Sequence, residues 1–184
     1  MADTATLLTS FRFEVKLLRS PDMVAGRQNL PGAGEGFNPP QGAAELGTGG
    51  FQDCSGLEIE MDIQEYVEGG RNNGIVRRVG RAKYQPILLK RGMFFRTDGD
   101  GLVNTDLWHW MQRILNGERP VARYDGVINV MGADNTPRAT WVFERGLPSK
   151  IKGPELNAKT GEVAIEELTI AHEGLRLLPA ETPP

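Results

Sequence analysis

Residues 57–84 read LEIEMDIQEYVEGGRNNGIVRRVGRAKY. Leu57, Ile59, Met61 and Ile63 alternate with Glu58, Glu60, Asp62 and Gln64, so every second side chain falls on one face. That period of two predicts a β-strand with one apolar and one acidic face. Between Tyr66 and Gly74 the chain reads YVEGGRNNG, where Gly69-Gly70 and Asn72-Asn73-Gly74 supply the positive φ angles of a reversal. IVRRVGR and KYQPILLKRG then read as further strands, with Pro86 at an edge, a strand start or a bulge. A strand, a glycine-rich turn and a returning strand make a hairpin. Its apolar face is expected in the core, so that an Asp at Ile59 or Ile63 is expected to wreck folding.

Working outward, residues 11–18 (FRFEVKLL) alternate in the same way and predict a first strand. From Arg19 to Gly50 periodicity stops; residues 20–50 carry eight Gly and four Pro. A loop of this length far exceeds the median of ~4–6 residues, so it reads as an insertion that is disordered or ordered only against a partner. One helix is predicted after Asn104 or Thr105, with a stripe of Leu107, Trp108, Met111, Ile114 and Leu115 and a left-handed cap at Gly117. Strands follow at 121–132, 139–146, 148–153 and 162–178, and the Pro-rich tail 179–184 is expected to fray. The sum is a mainly β single domain over 1–184, with about seven strands in a barrel or sandwich, one flanking helix and the insertion 19–50.

The chain has 184 residues, 21 Lys plus Arg and 24 Asp plus Glu, a formal net charge of -3. That balance argues against a general grip on nucleic acid or an anionic membrane. A lone cysteine, Cys54, permits no internal disulfide, and with only two histidines a Cys/His metal site is not expected. No basic and apolar leader opens the sequence, so no signal peptide is expected, and no run is long enough to span a membrane. Gly32, Gly34 and Gly36 have no strand before them or helix after them, and Asp98, Asp100 and Asn104 lack the order of a calcium loop. Cys54, His109 and His172 read as structural residues, since no catalytic set surrounds them. Glu58, Glu60 and Asp62 read as a solvated or lumen-lining face, and Arg77, Arg78, Arg81 and Lys83 as its nearby counter-charges. No enzyme and no cofactor are expected.

Three strings together resemble the phage tail tube family: 51–92 (FQDCSGLEIEMDIQEYVEGGRNNGIVRRVGRAKYQPILLKRG), the helix LWHWMQRILNG at 107–117, and 141–175 (WVFERGLPSKIKGPELNAKTGEVAIEELTIAHEGL). The resemblance covers residues 11–18 and 50–178. It implies a structural protein with a tail-tube-type β-barrel or sandwich, six copies closing into a ring around a lumen, and rings stacking into the tube of a contractile injection system. It also implies contacts with an adjacent ring, with spike or hub, and with baseplate or sheath proteins, after assembly in the cytoplasm into a phage-tail-like particle. By position, Glu68, Gly69, Gly70, Arg71, Asn72, Asn73, Arg77, Arg78 and Arg81 fall at inter-subunit or inter-ring junctions; Glu58, Glu60 and Asp62 are set toward the lumen because an apolar lumen would be hard to keep wet and would adhere to cargo, the alternative being outward toward sheath or solvent. The long insertion departs from the plain tube subunit and favours a baseplate-proximal tube initiator. The alternatives are the main repeated tube protein and a monomeric ligand-binding β-sandwich.

Overall fold

The computed structural model describes residues 8–9, 12–21, 45–47, 50–67, 69–70, 74–95, 101–159 and 161–178. The expected insertion 19–50 is described only at its two ends; Gly32, Gly34, Gly36, Asp98, Asp100 and the tail 179–184 lie outside the described residues. The chain is mainly β. Its elements are β1 (Phe13–Arg19), β2 (Asp53–Ser55), β3 (Ile59–Tyr66), β4 (Val76–Tyr84), β5 (Ile87–Gly92), α1 (Asp106–Leu115), β6 (Tyr124–Met131), β7 (Pro137–Lys152), β8 (Ile165–Ala171) and β9 (Gly174–Leu178).

Seven strands form one antiparallel sheet in the order β1-β6-β7-β8-β5-β2, with β9 added beside β7. The 139–146 and 148–153 segments, expected as two strands, are one strand, β7. Its first half pairs with β6 and β9 and its second with β8. The switch falls at Arg145, whose φ of 54° bends the strand. Buried Asp125 holds the bend: its Oδ1 accepts the Arg145 backbone N–H at 2.7 Å and the Ser20 hydroxyl at 2.7 Å. Glu173 accepts from Arg123 at 2.8 Å and from Arg145 at 2.7 Å on the outer side. The expected last strand is likewise split, into β8 and β9, at His172-Glu173. Through the bend the two halves of the sheet fold over one core: Val15, Leu17, Ile128, Phe143 and Leu175 meet Ile87, Leu89, Leu168 and Ile170.

Helix α1 closes this core. Asn104 Oδ1 accepts the Asp106 N–H at 3.3 Å, while the Thr105 side chain makes no capping bond. At the other end Gly117, with φ 77°, donates to Ile114 O at 3.0 Å and Glu118 donates to Arg113 O at 3.0 Å, a Schellman cap. The anchoring side chain is Trp110, which the expected stripe omits; it is 2% exposed, while Leu115 points outward. Its indole N–H donates to Ala122 O at 2.8 Å and its ring meets Tyr124 edge-on. Trp108 donates to Glu166 Oε2 at 2.9 Å, and Glu166 Oε1 accepts Arg91 Nε at 2.5 Å in a pair 1% exposed on both sides. Trp110→Ala removes the largest buried side chain and is expected to cost ~3–5 kcal/mol, read by urea unfolding.

Candidate functional site

β3 and β4 stand apart from this body. They form a separate two-stranded sheet. Among the described residues they pack on each other and hardly on any other element. Directly opposed residues share a face, so Ile59–Tyr84, Met61–Ala82 and Ile63–Val79 build one apolar side. At Asp62 two residues of β4, Gly80 and Arg81, stand opposite one of β3, a bulge that keeps both apolar rows on that side. The apolar face expected in the core is uncovered: Ile59 is 52%, Ile63 55% and Val79 70% exposed. A two-stranded ribbon has no second layer, and the expected core position of these residues is corrected accordingly.

The other face is mixed in charge. Glu60 opposes Lys83, and Gln64 opposes Arg78. Lys83 donates to Asp62 at 2.7 Å, and the Asp62 carboxylate raises the Lys83 pKa. Arg78 lies 5.1 Å from the Tyr66 ring centre, and on the apolar side Arg77 pairs with Glu65 at 3.3 Å. Of the basic run, Lys83 thus finds one of the three acidic residues, while Arg77 finds Glu65 instead. Glu58 and Glu60 are exposed and Asp62 is half-buried on this ribbon, with Arg77, Arg78 and Arg81 exposed along β4. Gly69 and Gly70 are exposed at its tip; Glu68, Arg71, Asn72 and Asn73 lie outside the described residues.

Cys54 is unsuited to nucleophilic chemistry. Burial, with the Asp53 carboxylate beside it, pushes the Cys54 thiol up to about 12, which removes the thiolate a nucleophile needs. A depression of about 410 Å³ beside α1 is lined by Leu46, Asp106, His109, Trp110, Arg113 and Tyr124. Trp110 and Tyr124 are buried there, so they offer no aromatic platform to a ligand. Among the described residues no helix is long and apolar enough to cross a membrane, and no group of three His, Cys, Asp or Glu is placed to hold a metal.

The structure is thus an open antiparallel sheet folded over one core, with a ribbon whose apolar face is exposed among the described residues. The T4-like virus tail tube protein gp19 family matches residues 9–176, and the chain belongs to that family of structural tube proteins. Its fold is also that of a chain in the baseplate of the anti-feeding prophage, solved with 6-fold symmetrisation (21% identity, 97% of this chain and 100% of that one, TM-score 0.69). A chain in the sheath-tube complex of the extracellular contractile injection system PVC is similar too, at 18% identity over 94% of this chain and 91% of that one, TM-score 0.64. A third likeness is to the anti-feeding prophage tube-terminating cap, at 18% identity over 98% and 100%, TM-score 0.66. No curated protein matches the chain.

Two outcomes follow from this geometry. Ile59→Asp or Ile63→Asp is expected to cost less than about 1 kcal/mol in urea unfolding of the monomer, whereas Ile170→Asp, fully buried, unfolds it. The folded thiol keeps its proton up to about 12 while the unfolded one loses it near 9.0, so unfolding free energy falls as pH rises above ~9. Cys54→Ala is expected to remove that part of the slope, and iodoacetamide at pH 8 is expected to label wild type only in denaturant.

Proposed function

We propose that this chain is a ring-forming structural subunit of the inner tube of a contractile injection apparatus, at the baseplate-proximal initiator layer. The observation that carries the reading is the uncovered apolar face of β3–β4 in a chain of the tail tube family. In a ring of six, a neighbouring copy covers Ile59, Met61, Ile63, Val79 and Tyr84, and the charged face of the ribbon borders the water-filled lumen. Glu58, Glu60 and Asp62 then line the lumen together with Lys83 and Arg78, a wet and mixed surface to which cargo adheres poorly. The tip at Gly69 and Gly70, with Glu68, Arg71, Asn72 and Asn73, meets the next ring, and Arg77, Arg78 and Arg81 meet the adjacent copy.

The initiator reading is supported by the long excursion between β1 and Glu45, which a tube packed closely inside its sheath has little room to repeat. The likeness to a baseplate chain over the whole of both chains agrees with it. Around the ring the partners are then the hub or spike below, the first repeated ring above, and baseplate or sheath proteins outside. The subunit folds in the cytoplasm and leaves as part of a phage-tail-like particle. The likeness to a chain of a sheath-tube complex favours a second reading, the main repeated tube protein.

Negative-stain images of the purified chain test both. Six-fold rings are expected; long tubes made by this chain alone select the repeated protein, and a strict monomer at high concentration rejects the tube reading. Arg77→Glu with Arg78→Glu is expected to leave a folded monomer and to weaken ring or stack formation by about tenfold or more, measured by light scattering after size exclusion.

A further inference from the structure

Among the described residues the β3–β4 arm packs on hardly any other element, so its direction is set at its root. Two short crossings form that root, residues 56–58 leading into β3 and Gln85-Pro86 leading out of β4. They hold each other: Gln85 donates to Glu58 O at 3.3 Å. Gly56, with φ 91°, lies so close to Pro86 that a Cβ would stand 2.1 Å from the Pro86 carbonyl oxygen. The crossings join β2 and β5, which pair in the body's sheet, and Leu57 packs against the core. His172 adds a side-chain tie from a distant part of the chain.

His172 sits in the turn between β8 and β9, 87 residues from Gln85. Its Nε2 faces the Gln85 carbonyl oxygen at 3.0 Å and its Nδ1 faces the Gly174 carbonyl oxygen at 2.9 Å. Either tautomer donates to one of the two carbonyls, and the imidazolium donates to both. The ring also lies 5.5 Å from the Tyr84 ring, at the end of the arm, and 5.6 Å from the Phe143 ring, in the core. The turn that carries it is rigid: Glu173 donates its backbone N–H to Glu144 O at 3.0 Å and its carboxylate accepts from Arg123 and Arg145.

We propose that His172 is the positioning residue that latches the arm to the body and so sets the angle at which the arm meets a second copy. Leverage makes the angle matter. Eight residues of β3 span ~23 Å, so a swing of about 10° at the root moves the far end by ~4 Å, far more than the roughly 0.5 Å over which an N–H···O bond persists. Contacts among copies at the arm's far end therefore depend on how the near end is held, by the two crossings and by the His172 contacts to the Gln85 carbonyl and the Tyr84 ring. The latch is a property of the single chain; its effect on assembly rests on the tube-subunit reading.

Spin labels on Gln64→Cys in the arm and Lys150→Cys in the body measure the arm's angular spread by electron–electron double resonance. Labelled chain is diluted into excess unlabelled chain, so that distances are intramolecular whether or not rings form. His172→Phe keeps a ring between Tyr84 and Phe143 and removes both nitrogens; it is expected to widen the distance distribution at least about twofold and to cut ring formation about tenfold. His172→Gln, which retains a donor, is expected to fall between. Unchanged melting temperature and circular dichroism separate lost positioning from lost folding. A distribution in His172→Phe that overlays wild type overturns the latch, and a widened distribution with undiminished ring formation overturns its role in assembly. Failure of the wild-type chain to form rings counts against the tube-subunit reading and leaves the comparison of widths standing.

Discussion

A two-stranded β ribbon has two faces and only itself to cover them, and this constraint shapes the rest of the molecule. Ile59, Met61, Ile63 and Val79 stay roughly half in water on the single chain. Covering what remains exposed is worth on the order of 1 kcal/mol for each. Several such side chains in a row are a sizeable incentive to associate, but only with a surface that meets all of them at once. The body has no spare layer to offer, because its sheet is already folded over its own core and capped by α1.

The body is correspondingly stiff where the ribbon is not. Three elements converge on the buried Arg91–Glu166 pair: β5 and β8 supply the two charges directly opposite one another, and α1 adds the Trp108 indole. Leaving either charge alone in that site would cost several kcal/mol, so the three elements move together or not at all. The bend of β7 is held in the same spirit, by a buried carboxylate inside and by Glu173 with two arginines outside. The latch residue is the neighbour of Glu173. Whatever rigidity the bend has is thereby delivered to the root of the arm.

Local pattern was enough for most of the strand segments and for the helix with its Gly117 cap, because alternation, helical spacing and a left-handed glycine are short-range signals. It was not enough for burial. The alternation of Leu57 to Ile63 states that one face is apolar, and a core strand and an uncovered ribbon write the same pattern. Trp110 escaped the expected stripe because its burial is decided by Tyr124 and the Ala122 carbonyl, which a helical wheel does not contain. The single strand β7 reads as two because Gly146 and Pro148 carry the marks of a turn, yet Asp125 holds Arg145 in a bend within a strand. The root of the arm was not legible: His172 and Gln85 are brought together only by the tertiary fold.

The charges of β4 explain how such a ribbon stays soluble without giving up association. Arg77, Arg78, Arg81 and Lys83 place four cations and no carboxylate on one short strand. An open strand edge invites a second copy of itself, and an antiparallel β4–β4 pairing would set cation against cation. That symmetric contact is therefore disfavoured, and with it the simple two-fold dimer. In the proposed ring, the mate for β4 is then a different surface of the neighbouring copy. A contact between two unlike surfaces leaves one of each still open on every pair, so the next copy adds in the same sense until a ring closes or a filament grows. Which of these happens is a matter of the angle between arm and body. In the proposed latch, Gln85 and His172 help to hold that angle.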